Sequence, residues 1–182
     1  MKRTAVALRE GGLPFALCGG YAGWARGAPE PDHDADFMIP EDHVERAAKA
    51  LTDAGLQVAD PAEDWLFKVT ADDVFVDVLW RVSGRPVEGE LVERGSPLQV
   101  LGVQMPVLAA TDIVVTKLLA LDEHYCDFTK LLPVARALRE QVDWAQVRAE
   151  VAGNDFAVVF LELLGRLGIA PGEPGEQGPQ TG

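Results

Sequence analysis

Asp34 and Asp36, at i and i+2 in His33-Asp34-Ala35-Asp36-Phe37-Met38-Ile39, stand at the opening of an apolar run. Alternate residues of a strand share a face, so the two carboxylates would point the same way, a few ångströms apart. Like charges held that close cost free energy unless a cation neutralises them. A third carboxylate, Asp77, is alone inside Val74-Phe75-Val76-Asp77-Val78-Leu79-Trp80. A charge in such a segment is expensive unless it is paired or metal-bound. Three aspartates that a fold brings together would make a Mg²⁺ site of hard oxygen donors. Just ahead of the pair, Leu17-Cys18-Gly19-Gly20-Tyr21-Ala22 closes another apolar run with a turn of small residues.

Each of these features also has a plainer reading. Pro31-Asp32-His33-Asp34 alone looks like an exposed acidic loop, and Asp77 has Arg81 and Lys68 within reach as ion-pair partners. Three sharper alternatives fail on spacing. A calcium loop starting at Asp32 needs glycine at its sixth position and glutamate at its twelfth, where this chain has Phe37 and His43. A histidine-aspartate phosphohydrolase centre needs several further histidines, and only His43 and His124 remain. The run Cys18-Gly19-Gly20-Tyr21-Ala22-Gly23 lacks the G-x-G-x-x-G spacing of a dinucleotide fingerprint.

The elements that must position these groups follow from periodicity and punctuation. Thr4 to Glu10 reads as a helix stopped by Gly11-Gly12, Pro14 to Cys18 as a buried strand, and Tyr21 to Arg26 as one or two helical turns. Phe37 to Ile39 continues the strand that the aspartate pair begins. Pro40, the acidic Glu41 and Asp42, an apolar face of Val44, Ala47, Ala48 and Leu51, and Gly55 delimit a helix over Glu41 to Ala54. Strands are expected over Gln57 to Ala59, Leu66 to Thr70 and Val74 to Val82, the last two forming a hairpin around Ala71-Asp72-Asp73. Leu98 to Val107 would be a further strand, broken at Gly102. Beyond Pro106 the pattern turns helical, with Thr111-Asp112 capping a run to Leu121 and further helices over Asp127 to Arg139, Trp144 to Val151 and Phe156 to Leu167. This divides the chain into an α/β core over 1–108, a helical region over 109–170 packed on it, and a disordered tail over 171–182 that has no apolar anchor.

Composition narrows the partners. The 16 Lys and Arg face 29 Asp and Glu, and the net charge of −13 argues against extended DNA as a ligand, because phosphate tracking needs clustered cations. Arg136, Arg139 and Arg148 remain as a local basic patch. No apolar stretch is long enough to span a bilayer. Cys18 and Cys126 lie in apolar surroundings and are expected as buried free thiols in a reducing cytoplasm. Trp24, Trp65, Trp80 and Trp144 are expected to pack in the core or at its rim.

The joint pattern resembles the nucleotidyltransferase superfamily with the DNA polymerase β-type core, especially small bacterial abortive-infection members of the toxin-antitoxin kind. Leu17-Gly19-Gly20-Ala22 corresponds to the h-G-G-x-A motif, Asp34 and Asp36 to h-D-h-D-h, and Asp77 to the later strand aspartate. The run from Ala110 through Lys117-Leu118-Leu119-Ala120 to Asp127-Phe128 is similar to their helical half. Where relatives often carry arginine and a hydroxyl residue before the aspartate pair, this chain has Glu30, Asp32 and His33. The resemblance implies an α+β fold: a mixed-sheet core flanked by helices, with a helical C-terminal half. It implies Mg²⁺ on Asp34, Asp36 and Asp77, the last completing a second metal position or acting as base. It also implies triphosphate contacts from Gly19, Gly20, Arg26 and Lys117, and nucleoside monophosphate transfer from an NTP to a small-molecule, protein or RNA hydroxyl. The changes at Glu30, Asp32 and His33 leave a second expectation open: a module that keeps the fold, binds a nucleotide or protein, and has lost the chemistry.

Overall fold

Among the described residues, seven strands form one mixed sheet that carries Asp36 and Asp77, with Asp34 just ahead of the strand of Asp36. The structure, a computed structural model, describes residues 1–32, 34–59, 64–71 and 74–172. His33, the Asp72-Asp73 turn and the tail beyond residue 172 lie outside the described residues.

The chain starts with helix α1 (Lys2–Glu10), which buries Thr4, Ala5, Ala7 and Leu8. Strand β1 (Ala16–Cys18) is buried throughout, and α2 (Gly19–Ala25) follows without a linker. The helix therefore begins at the glycine pair itself, two residues earlier than the sequence pattern predicts. Strand β2 (Ala35–Met38) leads to a 3₁₀ turn over Glu41–His43 and helix α3 (Val44–Asp53). Strands β3 (Gln57–Ala59), β4 (Leu66–Ala71) and β5 (Val74–Leu79) come next. The strand expected to run on to Val82 breaks at Trp80, and β6 (Arg81–Val82) pairs instead with β7 (Arg85–Pro86) in a separate small hairpin. Ser83 and Gly84, with φ of 50° and 74°, form its turn. Helix α4 (Gly89–Glu93) precedes β8 (Ser96–Val100) and β9 (Val103–Val107), a hairpin closed by Leu101 and Gly102 at φ 49° and 84°. Two positive φ values in a two-residue loop match the twist of the strands they join.

Four helices complete the described residues: α5 (Ala110–Leu119), α6 (Phe128–Leu138), α7 (Trp144–Val151) and α8 (Asp155–Arg166). Asp127, Asp143 and Asn154 cap the last three by accepting backbone N–H groups of the first turn. The expected Thr111-Asp112 cap is not one. Helix α5 is capped at Ala109, and both polar residues are buried inside its first turn. Burial is tolerated because Thr111 Oγ1 accepts the Asp143 N–H at 2.9 Å and Arg94 grips both Asp112 oxygens at 2.7 and 3.1 Å.

Sheet order is β3-β4-β5-β2-β1-β9-β8, with β2–β5 and β1–β9 parallel and the other pairs antiparallel. Register aligns Leu17, Phe37, Val78 and Phe67 in one row across four strands, and all four are 0–1% exposed. Trp80 packs its indole on Phe67, with ring centroids 5.8 Å apart. The same apolar core continues from Ala5 to Ala170, joining sheet and C-terminal helices. One thiol departs from expectation: Cys18 is buried, but Cys126 is exposed, because the connection between α5 and α6 lies at the surface.

Candidate active site

One residue along from that apolar row, the register creates a charged one. Cys18 pairs with Asp36, Asp36 with Asp77, and Asp77 with Lys68, across β1, β2, β5 and β4. Cross-strand partners share a face, so these four side chains emerge together on the side opposite Leu17, Phe37, Val78 and Phe67. The two-residue period explains how strands this apolar can carry two carboxylates: Asp36 and Asp77 take the face opposite the Leu17 row, on which Cys18 and Met38 are themselves buried.

Asp36 lies at the centre. Burial, chiefly, and then the Asp77 charge push its carboxyl up to about 6, against the opposing pull of Lys117; Asp34 adds a smaller upward push. A carboxyl with raised proton affinity gains from any cation that takes the proton's place. Gly19 makes room for it. A Cβ at this position would sit 2.0 Å from Asp36 Oδ2, and φ of +62° is a conformation that glycine adopts without strain. Lys117 approaches from α5; burial lowers its pKa, and Asp36 and then Cys18 partly restore it. Burial, with Asp36 a lesser cause, raises the Cys18 thiol, so it does not act as a thiolate here.

Asp36, Gly19 and Lys117 line a cleft of about 750 Å³. Met38 and Leu79, two residues along β2 and β5 from the aspartates, extend its floor. Arg81, Ser83 and Gly84 of the β6–β7 hairpin and Trp65 and Tyr125 at the mouth complete much of the wall. Arg81 is held in place by Glu41, which accepts from Nε at 2.8 Å and Nη2 at 2.6 Å.

The other expected site residues are placed differently. Asp34 is exposed, immediately before β2, and acts on Asp36 through its charge. Asp77 is a direct neighbour of Asp36, but both its oxygens accept from Lys68 Nζ, at 2.9 and 3.1 Å. This is one of the two ion pairs that the sequence leaves open. Gly20 is required for packing, since a Cβ there would lie 2.7 Å from Pro31 Cβ. Arg26 does not line the cleft. Its Nε donates to the Leu108 carbonyl at 2.6 Å, and Nη2 donates to the Val107 carbonyl at 3.0 Å and to Ser96 Oγ at 2.8 Å. The chain leaves the sheet after β9, and these carbonyls need a donor from elsewhere. Asp127, implied by the resemblance at the end of its helical segment, is the α6 cap.

Among the described residues, no three His, Cys, Asp or Glu side chains stand as a ready-made metal cage. The residues nevertheless fit one hard cation beside Asp36: the donors are carboxylate oxygens, the carboxyl binds protons too readily, and Gly19 gives the carboxylate the room it occupies at the cleft. Of the two cations that the sequence set within reach of Asp77, Lys68 pairs with it and Arg81 pairs with Glu41 instead. Sequence reasoning missed Trp65 and Tyr125 as cleft lining, because neither carries a signal that separates a cleft wall from ordinary packing.

Comparison with solved structures identifies the fold. The solution structure of the antibiotic-resistance factor ANT(2'')-Ia superposes with a TM-score of 0.59 at 19% identity, over 91% of this chain and 94% of that one. The crystal structure of ANT(2'')-Ia in complex with adenylyl-2''-tobramycin gives a TM-score of 0.56 at 19% identity, over 88% and 94%. No curated protein matches the chain in sequence. A mixed sheet flanked by helices, with a helical C-terminal half, is what the sequence motifs anticipated. The sequence model of a family described as uncharacterised nucleotidyltransferase matches residues 4–165, and the chain belongs to that nucleotidyltransferase family.

Proposed function

We propose that the protein transfers a nucleoside monophosphate from an NTP to the hydroxyl of a small molecule, with Mg²⁺ held at Asp36 and Asp34. The observation that carries this is the grouping of Asp36, Gly19 and Lys117 on one cleft wall with Asp77 in register beside them. When bound, the metal supplies positive charge against phosphate oxygens and acidifies the acceptor hydroxyl. Lys117 places an ammonium beside Asp36, where it offsets charge that develops on the departing pyrophosphate. Gly19, lacking a Cβ, lets the Asp36 carboxylate hold its position at the cleft. Asp77 is the neighbouring carboxylate available to accept the proton as the acceptor oxygen bonds to the α-phosphorus and pyrophosphate leaves.

The acceptor is a small molecule on two grounds. The cleft volume falls in the range of small-ligand sites. The net charge of −13 opposes a polyanionic acceptor. ANT(2'')-Ia, named as an antibiotic-resistance factor and seen with adenylyl-2''-tobramycin, is consistent with an acceptor of this class. No described helix is long and apolar enough to cross a membrane.

A second reading, a nucleotide-binding module without turnover, draws on one observation: Asp77 is engaged by Lys68. Calorimetry with ATP, GTP, CTP and UTP, with and without Mg²⁺, separates the two. Mg²⁺-dependent binding that disappears in Asp34→Ala and Asp36→Ala supports the enzyme. Binding indifferent to both metal and substitutions supports the module.

A further inference from the structure

We propose that Lys68 is a resident cation that takes the place of a second divalent metal beside Asp77, so that the site holds a single metal ion, at Asp36. The inference rests on the nucleotidyl-transfer reading and narrows it.

Its basis is the order of charges along the row. Lys68, Asp77 and Asp36 are consecutive register partners on β4, β5 and β2, and Lys117 faces Asp36 from α5. An ammonium thus attends each of the two carboxylates. Asp77 is the more fully satisfied. Both its oxygens accept from one Nζ, and its side chain is only 19% exposed. The Asp36 carboxylate, by contrast, accepts no hydrogen bond among the described residues and lines the cleft.

Two divalent ions would place a second double charge against an ammonium already seated on Asp77, and like charges at that range repel strongly. Bringing in that ion means displacing the Lys68 ammonium from both Asp77 oxygens, which it holds from a neighbouring strand. One ion at Asp36 requires no such expulsion. Lys68 is therefore a positioning and charge-compensating residue: it touches Asp77, not the reacting phosphorus.

Electron paramagnetic resonance of the full chain titrated with Mn²⁺ alone counts the sites. The expected result is one Mn²⁺ per chain in the wild type and in Lys68→Arg. In Lys68→Met and Lys68→Ala the count rises to two, with the broadened spectrum of a coupled pair, and it returns to one in Lys68→Ala/Asp77→Asn. Circular dichroism confirms that each variant is folded, and Lys68→Met retains most of the side-chain stem should Lys68→Ala not fold. Two ions in the wild type, or a count of one that persists in both Lys68→Met and Lys68→Ala, overturns the inference. The underlying reading is tested apart from it by Asp36→Asn, which must lose the single ion. Mn²⁺ retained in Asp36→Asn, or no Mn²⁺ in the wild type, overturns that reading and the inference with it.

Discussion

Gly19 stands so close to Asp36 that a methyl group on its Cα would lie 2.0 Å from Oδ2 and 2.9 Å from the carboxyl carbon. No real side chain tolerates such a contact, so the carboxylate must leave its position if residue 19 gains a Cβ. The φ of +62° adds backbone strain for any residue but glycine. Gly19→Ala is expected to fold with a loss of about 1–2 kcal/mol and to bind Mg²⁺-nucleotide at least about tenfold more weakly. Gly12→Ala shares the positive φ but has nothing within 4 Å, and serves as the control for strain alone. Thermal melts and calorimetry on both variants check the difference.

The raised Asp36 carboxyl gives the metal-free protein a distinctive pH dependence. Its folded pKa of about 6 lies above the ordinary value of 3.8, so the folded state binds its proton more tightly than the unfolded chain does. Folding therefore benefits from this group while it is protonated and loses that benefit as pH rises through the window from about 4 to about 6. The full swing is on the order of 2–3 kcal/mol. Urea unfolding of wild type and Asp36→Asn across this window should show wild type losing stability relative to the variant as pH rises, then a constant gap above about pH 7. Mg²⁺ should close that gap in wild type only. Parallel curves at all pH values would show that Asp36 is not perturbed.

Arg26 is predicted to be a structural residue. Its three hydrogen bonds hold the end of β9 to α2, and Gln141 Nε2 donates to the Arg26 carbonyl at 2.9 Å. Arg26→Ala should cost roughly 2–3 kcal/mol, because it leaves strand-end carbonyls without donors. Nucleotide affinity of the fraction that remains folded should be unchanged. A variant of normal stability with weakened triphosphate binding would return Arg26 to the site.

The aspartate-bearing strands were legible because apolar runs bounded by Gly, Pro and Asp mark buried strands. The same pattern put Asp34 beside Asp36, although only Asp36 lies inside β2. What failed was whatever depends on contacts between distant segments. Arg26 is near Gly19-Gly20 in sequence, but its orientation is set by β9, more than 80 residues away. Asp112 looked like a helix cap until Arg94 supplied a partner that allows its burial. Cys126, expected to be buried, sits between Tyr125 and Asp127 in a connection that is exposed. Lys68 was visible as a charge near Asp77. Its two hydrogen bonds to both carboxylate oxygens follow only from the β4–β5 register.

Asp36 is the centre of the proposed chemistry, and turnover measures it most directly. Wild type and Asp36→Asn are incubated with Mg²⁺, each α-labelled NTP and a panel of hydroxylated small molecules, with release of pyrophosphate followed in parallel. Label should move to at least one acceptor in the wild type, with matching pyrophosphate, and both signals should vanish in Asp36→Asn at unchanged fold. Transfer that persists in Asp36→Asn, or triphosphate left intact by a folded wild type that binds it with Mg²⁺ across the panel, would contradict the account.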